Sequence, residues 1–222
     1  MKPGWLSRTL YFLISTVCRY MFGPVMTCLT GVRHFNVPNP ERLTGVLIAS
    51  NHQSYLDPVL IGIALQRPVH YLARRSLFRV PGLSVAIRLL GAHPVSQDRI
   101  DGAAVRTILR LLRRGEALLL FPEGTRTSDG SLKVFEPGVG AIAARFGVPV
   151  LPVCVEGAFR CWPRTRSLPA PARVAVAYGK IVWPKDRDPA ATMSAIANQI
   201  ARMQGFLRHH LGRRASGCRR GH

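Results

Sequence analysis

The sequence predicts a single α/β domain with a central mixed sheet flanked by helices, preceded by an N-terminal helical segment at a membrane interface. Three observations predict it. Apolar runs typical of buried strands alternate with helical patterns between residues 45 and 211. Hydrophobic residues make up 47% of the 222 residues, which is enough for one well-buried core. The N-terminal stretch from Trp5 to Val32 is apolar and rich in aromatic side chains.

The N-terminal segment, residues 1–36, predicts two short helices that lie in the membrane interface. Its uninterrupted apolar stretch, Leu10–Cys18, is well short of the roughly 20 residues that a spanning helix needs. The two helices are expected to be separated by a break at Gly23-Pro24. A tilted transmembrane anchor, with Arg8 and Arg19 reaching toward opposite faces, stays open as an alternative. Both versions place the protein at a membrane.

The predicted hydrophobic core lies in an α/β domain over residues 37–211. Its expected strands are Gly45–Ser50, Pro68–Ala73, Ala117–Phe121, Val148–Val155 and Arg173–Tyr178. Its expected helices are Asp57–Leu65, Leu83–Leu90, Asp101–Arg114, Gly138–Phe146 and Ala190–Leu211. Asp57 at the N-cap with Pro58 behind it is a strong helix start. Gly115 and Gly147 stand where helices end.

Charge is distributed unevenly along this domain. The helix after Asp101 carries arginines on one face, which is typical of a solvated face, while contact with anionic lipid or a carrier stays open. Residues 212–222 have no apolar face and predict a disordered basic tail that favours acidic headgroups.

The composition restricts the partners. Lys and Arg number 31 against 11 Asp and Glu, a net charge of +20, so the partners are expected to be polyanions. The aromatic residues are not interleaved with arginines and there is no zinc or RNA-binding motif, so nucleic acid is excluded as the expected partner. Five scattered cysteines favour a reducing compartment.

The first informative motif, Asn51-His52-Gln53-Ser54-Tyr55-Leu56-Asp57, lies between a predicted strand and a predicted helix. An imidazole whose second nitrogen donates to a carboxylate is held in one tautomer and becomes a better base, so His52 and Asp57 are candidates for removing a proton from an alcohol. From spacing alone, Asp57 as a helix cap and His52 as a loop residue is the plainer interpretation. A metal site is disfavoured, because one histidine and one carboxylate are local.

The second motif, Phe121-Pro122-Glu123-Gly124-Thr125-Arg126-Thr127, follows another predicted strand. A turn that contains glycine exposes backbone N–H groups, and Arg126 offers a bidentate fork to a phosphate. An ordinary β-turn with a solvated arginine is the alternative.

Together the motifs resemble the glycerolipid acyltransferase family, which contains 1-acylglycerol-3-phosphate O-acyltransferase. NHQSYLD and FPEGTRT match its first and third blocks. GAHPVSQDR, which ends at Arg99, and VPVLPV, residues 148–153, are similar to its second and fourth blocks. The fourth also has the simpler interpretation of a buried strand that ends, or runs at an edge, at Pro152.

The resemblance implies transfer of an acyl group from an acyl carrier protein or coenzyme A thioester to a lysolipid hydroxyl, with no bound cofactor and no metal. His52 would be the base and Asp57 would orient it. The acceptor would be bound by Arg99, Glu123, Gly124, Thr125 and Arg126. Membrane lipids would be partners, at the cytoplasmic face of the inner membrane.

One departure leaves the acceptor open. Members that use phosphatidate precursors often show F-K-x-G after the third block, whereas this chain has Phe135-Glu136-Pro137-Gly138, with Lys133 nearby. A lysophosphatidic-acid-like acceptor is expected, with a lyso-ornithine lipid, another lysophospholipid or glycerol 3-phosphate as alternatives. A basic membrane-surface protein without catalysis is the alternative of another class.

Overall fold

In the part of the chain that the structure describes, seven strands form one mixed sheet. The structure is a computed structural model that describes residues 23–95 and 102–217. The strands are β1 (Arg33–Phe35), β2 (Leu47–Ser50), β3 (Val69–Arg74), β4 (Ala92–Val95), β5 (Ala117–Leu120), β6 (Val150–Glu156) and β7 (Ala175–Tyr178). Their order across the sheet is β1-β7-β6-β2-β5-β3-β4. The five adjacent strands β6, β2, β5, β3 and β4 are parallel to one another, while β7 is antiparallel to β6. The predicted mixed α/β fold is confirmed.

Helices cover both faces of this sheet. They are α1 (residues 23–30), α2 (Asp57–Ala64), α3 (Leu83–Leu89), α4 (Gly102–Arg113), α5 (Gly138–Phe146), α6 (Ala158–Cys161) and α7 (Pro189–Gly217). Short 3₁₀ helices span Pro40–Leu43 and Arg75–Arg79. One core layer packs α4, α5 and α7 on the sheet, and the other packs α1, α2 and α6.

The central strands are apolar along their whole length because both of their faces are covered. In β2, Leu47 and Ala49 enter the layer with α4, α5 and α7, whereas Ile48 enters the opposite layer. All four residues of β2 and of β5 are buried. Continuous apolar runs of this kind are expected of parallel strands between helical layers.

Two strands and the C-terminal helix differ from the expectations. The strands β1 and β4 were not predicted, because β1 contains Arg33 and His34 and β4 contains a proline, Pro94. The helix α7 runs to Gly217. The predicted disordered tail therefore begins too early, since residues 212–217 are helical; residues 218–222 lie outside the described residues.

Most of the predicted membrane segment lies outside the described residues. Residues 1–22 belong to that part, and residues 23–30 are helical. The predicted break at Gly23-Pro24 therefore falls at the edge of the described chain. Among the helices that the structure describes, none combines the length and the hydrophobicity needed to cross a bilayer.

Candidate active site

Two loops meet at the carboxyl edge of the sheet, because they follow neighbouring parallel strands. Residues 51–56 follow β2 and residues 121–127 follow β5. The two strands are in register with Ala49 opposite Leu120, so the loops that follow them leave the sheet at the same level. In sheets of this kind, the carboxyl ends of the strands are where ligands bind.

His52 and Asp57 form a hydrogen-bonded pair in the first loop. The His52 Nδ1 atom lies 2.8 Å from Asp57 Oδ2. The His52 side chain is 19% exposed, whereas Asp57 is fully buried. Because a carboxylate only accepts, this contact places the ring proton on Nδ1 and leaves a lone pair on Nε2. The pair therefore has the arrangement of a general base and its orienting carboxylate.

Asp57 does not cap α2 as the sequence suggested. It is the first residue of the helix, and no side-chain hydrogen bond caps this end. Its Oδ2 atom instead accepts from the backbone N–H groups of Gln53 at 2.7 Å and Ser54 at 2.8 Å. The carboxylate thus closes the loop on itself and presents His52 at the same time.

The ring of His52 is also fixed from its face. It stacks on Phe121, with ring centroids 3.8 Å apart and planes 11° from parallel. The residue before it, Asn51, exchanges two 2.8 Å hydrogen bonds with the backbone of Val155 in β6. The imidazole therefore has little rotational freedom.

Glu123 joins the two loops from below. Its Oε1 atom accepts from the backbone N–H of His52 at 3.3 Å, and the carbonyl of His52 accepts from the N–H of Thr127 at 2.8 Å. Glu123 is 6% exposed, and Oε2 has no hydrogen-bond partner among the described residues. Burial raises the pKa of Glu123 to about 7, against the opposing effect of the His52 N–H.

The turn at Gly124 needs glycine for two reasons. Its φ is +68°, a conformation that other residues rarely adopt, and a Cβ atom there would lie 3.1 Å from a carboxylate oxygen of Glu136. The next residue, Thr125, accepts a 2.8 Å hydrogen bond at Oγ1 from the ammonium group of Lys133. Two cations, Lys133 and Arg126, thus lie beside this turn.

Arg126 packs against the first loop. Its guanidinium carbon lies 3.5 Å from the centroid of the Tyr55 ring, a cation–π contact that positions the side chain. Stacking on a ring leaves the N–H groups at the guanidinium edge able to bind an anion in a bidentate manner.

A cavity of about 740 Å³ opens over both loops. The candidate residues that line it are His52, Gly124, Thr125 and Arg126, and Glu136 lies on its wall. Apolar side chains complete the lining, among them Leu72, Leu77, Val95, Leu119 and Leu120. A mostly apolar cavity with a base and an arginine suits a molecule that has a lipid chain and an anionic head.

The structure brings together nearly all of the candidate residues. Asp57 and Glu123 support the loops from behind and are not part of the cavity lining. Arg99 lies outside the described residues. Sequence reasoning assigned no role to Phe121 and Tyr55, whose ring contacts join residues that are far apart in the chain. Within the described residues, no three His, Cys, Asp or Glu side chains are grouped as a metal site requires.

Comparison with known proteins identifies the family of this chain. A family model described as Acyltransferase matches residues 34–156, more than half of the chain. The chain belongs to this acyltransferase family, and the resemblance to glycerolipid acyltransferases is confirmed.

Several similar proteins are named 1-acyl-sn-glycerol-3-phosphate acyltransferase. A 1-acyl-sn-glycerol-3-phosphate acyltransferase of Bacillus subtilis is 29% identical over 142 residues, covering 63% of this chain and 70% of its own. A chloroplastic one of Brassica napus, BAT2, is 31% identical over 130 residues. That match covers 58% of this chain and only 37% of the relative. The chain thus corresponds to little more than a third of the plant protein.

A solved structure shows the same fold. The crystal structure of the 1-acyl-sn-glycerophosphate acyltransferase PlsC from Thermotoga maritima superposes with a TM-score of 0.69 at 23% identity. The match covers 91% of this chain and 83% of that chain.

Proposed function

We propose that this protein transfers a fatty acyl group from a thioester to the hydroxyl of a lysophosphatidic-acid-like acceptor in phospholipid biosynthesis. The observation that carries the proposal is the 2.8 Å pair of His52 and Asp57 on the wall of a largely apolar cavity. The names of the relatives from Bacillus subtilis and Brassica napus support this acceptor. The donor is an acyl carrier protein or coenzyme A thioester.

His52 acts as the base in this mechanism. Its Nε2 atom takes the proton of the acceptor hydroxyl while Asp57 stabilises the imidazolium that forms. The hydroxyl oxygen attacks the thioester carbonyl, an ester bond forms, and the carbon–sulfur bond breaks. The thiolate then recovers the proton from His52. No covalent acyl-enzyme is needed.

Arg126 binds the acceptor phosphate. The guanidinium, held over the Tyr55 ring, donates two parallel hydrogen bonds to the phosphate, which fix both its position and its orientation. Gly124 and Thr125 shape the turn beside it, and Arg99 is expected to add a second cation. Glu123 acts by holding His52 and the turn together, since its carboxylate accepts from the His52 N–H.

The protein is proposed to work at the cytoplasmic face of the inner membrane. The apolar segment over residues 1–36 is its anchor, residues 37–211 are the acyltransferase domain, and the basic residues 212–222 contact acidic headgroups. The excess of basic residues favours anionic lipids and anionic donors alike.

The test is acyl transfer by membranes that contain the wild type, His52→Ala or His209→Ala. Labelled acyl carrier protein and acyl-coenzyme A are offered with lysophosphatidic acid, glycerol 3-phosphate, lysophosphatidylcholine and lyso-ornithine lipid. We expect labelled phosphatidic acid from the wild type and from His209→Ala, whose histidine is exposed on α7. The rate of His52→Ala should be lower than that of the wild type by a factor of about 10²–10⁴.

Two results would count against the proposal. If product formed from another acceptor alone, that acceptor would take the place of lysophosphatidic acid in the proposal. Glu136 would then be the first residue to substitute. No transfer to any acceptor by a folded, membrane-bound protein would favour the non-catalytic surface protein.

A further inference from the structure

One wall of the cavity belongs to a segment without acidic residues. The forty positions from 58 to 97 contain five arginines and no Asp or Glu. Within it, Arg75, Arg79 and Arg88 are exposed. Two apolar side chains of the same segment are also exposed, Val80 at 48% and Val85 at 60%. These five residues are called the basic–apolar surface.

The basic–apolar surface is held in a fixed shape. The 3₁₀ helix Arg75–Arg79 packs on α3. The guanidinium of Arg88 lies 4.9 Å from the centroid of the Phe78 ring, and its Nε donates to Ser84 Oγ at 3.4 Å. Val85 and Arg88 are three residues apart in α3, so they lie on the same side of that helix. The valine is therefore presented together with a positive charge.

The same segment borders the candidate active site. Ser76 and Leu77, in the same 3₁₀ helix as Arg75 and Arg79, line the cavity that His52 also lines. A partner that covers the basic–apolar surface would therefore lie beside the cavity.

We propose that the basic–apolar surface docks on an anionic phospholipid bilayer and places the cavity at the lipid surface. Its arginines complement acidic headgroups, and its two exposed valines fit the acyl boundary below them. A nucleic acid would use the arginines but not the valines. The residues of this surface are distinct in sequence from the N-terminal segment, and the inference rests on the proposed function only in that the acceptor resides in the bilayer.

The test places a tryptophan at the surface of the full chain in vesicles. Val85→Trp is compared with Ala201→Trp, which is exposed on α7, and wild-type fluorescence is subtracted from each. Brominated lipid should quench the tryptophan at position 85 at least about twice as strongly as that at position 201. The difference should be present in vesicles with phosphatidylglycerol and lost in vesicles of phosphatidylcholine alone.

Charge reversal provides the second measurement. Each basic residue near an anionic surface is worth about fivefold in binding, so Arg75→Glu with Arg79→Glu should weaken local docking by about 25-fold or more. The quenching at position 85 should then fall. Turnover of a vesicle-bound lysolipid should fall with it, whereas turnover of a short-chain monomeric acceptor should not.

The outcomes separate this inference from the proposed function. Equal quenching at positions 85 and 201, or quenching that ignores lipid charge, would overturn the docking surface even if the enzyme is active. Absent turnover of every acceptor would refute the proposed function, but the quenching needs no catalysis and would still decide the docking.

Discussion

His52 is restrained by contacts of different kinds, which is what a base of fixed geometry needs. Asp57 holds the ring edge and Phe121 the ring face. The backbone of His52 is tied at its N–H to Glu123 and at its carbonyl to Thr127. A substitution at any of these supports should therefore act on turnover through the position of one imidazole.

Asp57→Asn is expected to lower kcat by about 10²–10⁴ with a small change in KM. The amide can donate to His52 Nδ1, which favours the tautomer with the proton on Nε2 and removes the base. Steady-state kinetics with circular dichroism as the check of folding measure this. Asp186→Asn, at an exposed loop position, is the matched control and should behave as wild type. An unchanged kcat in Asp57→Asn would remove Asp57 from the mechanism.

Glu123→Gln is expected to change how stability depends on pH. Because the pKa of folded Glu123 is raised to about 7, the folded protein keeps this proton at pH values where an unfolded carboxyl, with a pKa near 4.5, has lost it. The folded state then binds more protons, so this group makes the free energy of unfolding fall as pH rises from about 4.5 to about 7. The fall amounts to at most about 3 kcal/mol.

The glutamine variant cannot ionise and should lack this decrease. Denaturant unfolding of wild type, Glu123→Gln and the exposed control Glu41→Gln at several pH values measures it. Parallel curves for wild type and Glu123→Gln would contradict the raised pKa.

The roles of single residues were predictable where the motif stated them and not where they depend on the fold. Spacing and chemistry made His52 and Asp57 candidates, and the resemblance to glycerolipid acyltransferases implied their roles as base and orienting carboxylate. The capping role of Asp57 was wrong, because three donors from its own loop, two backbone N–H groups and the His52 ring, occupy Oδ2. The contact between Tyr55 and Arg126 joins residues 71 positions apart, and no local pattern indicates it.

At the scale of elements, the long apolar strands and amphipathic helices were found, and the short polar strands were not. The helix α5 occupies the predicted range, residues 138–146, and Gly147 ends it with a φ of +64°. The prediction that Pro152 marks a strand end or an edge was wrong, since it lies inside β6 between β2 and β7. It lies at an irregular step of the pairing, because the regular register with β7 begins at Val153 and the next bridge on that side joins Val150 to Val182.

Gly140→Ala is expected to destabilise the protein at the contact of α5 with α7. A Cβ atom at Gly140 would lie 2.6 Å from the carbonyl oxygen of Pro189 and 2.9 Å from Cβ of Met193, so the helices must separate. We expect a loss of about 1–3 kcal/mol. Gly62→Ala in α2, where nothing lies within 4 Å, should instead gain about 0.5–1 kcal/mol. Thermal unfolding measures both, and an equally stable Gly140→Ala would show that α7 packs less closely.

In the molecule as a whole, the order of the strands in the sheet determines which loops form the candidate site. The strands β2 and β5 are far apart in the chain but adjacent in the sheet, so residues 51–57 and 121–127 meet over one cavity. The sequence predicted both loops and their strand-end positions; their adjacency came from the resemblance, since neither motif carries information on strand order. The proposed mechanism requires this cavity to join a base on one loop to a phosphate anchor on the other.

This requirement is tested by the dependence of the rate on lysophosphatidic acid concentration for wild type, His52→Ala and Arg126→Ala. Loss of the base should lower kcat by about 10²–10⁴. Loss of the anchor should raise KM about tenfold or more, because a charge-assisted contact to phosphate is removed. A His52→Ala enzyme that keeps its kcat, or an Arg126→Ala enzyme that keeps its KM, would refute the proposed mechanism.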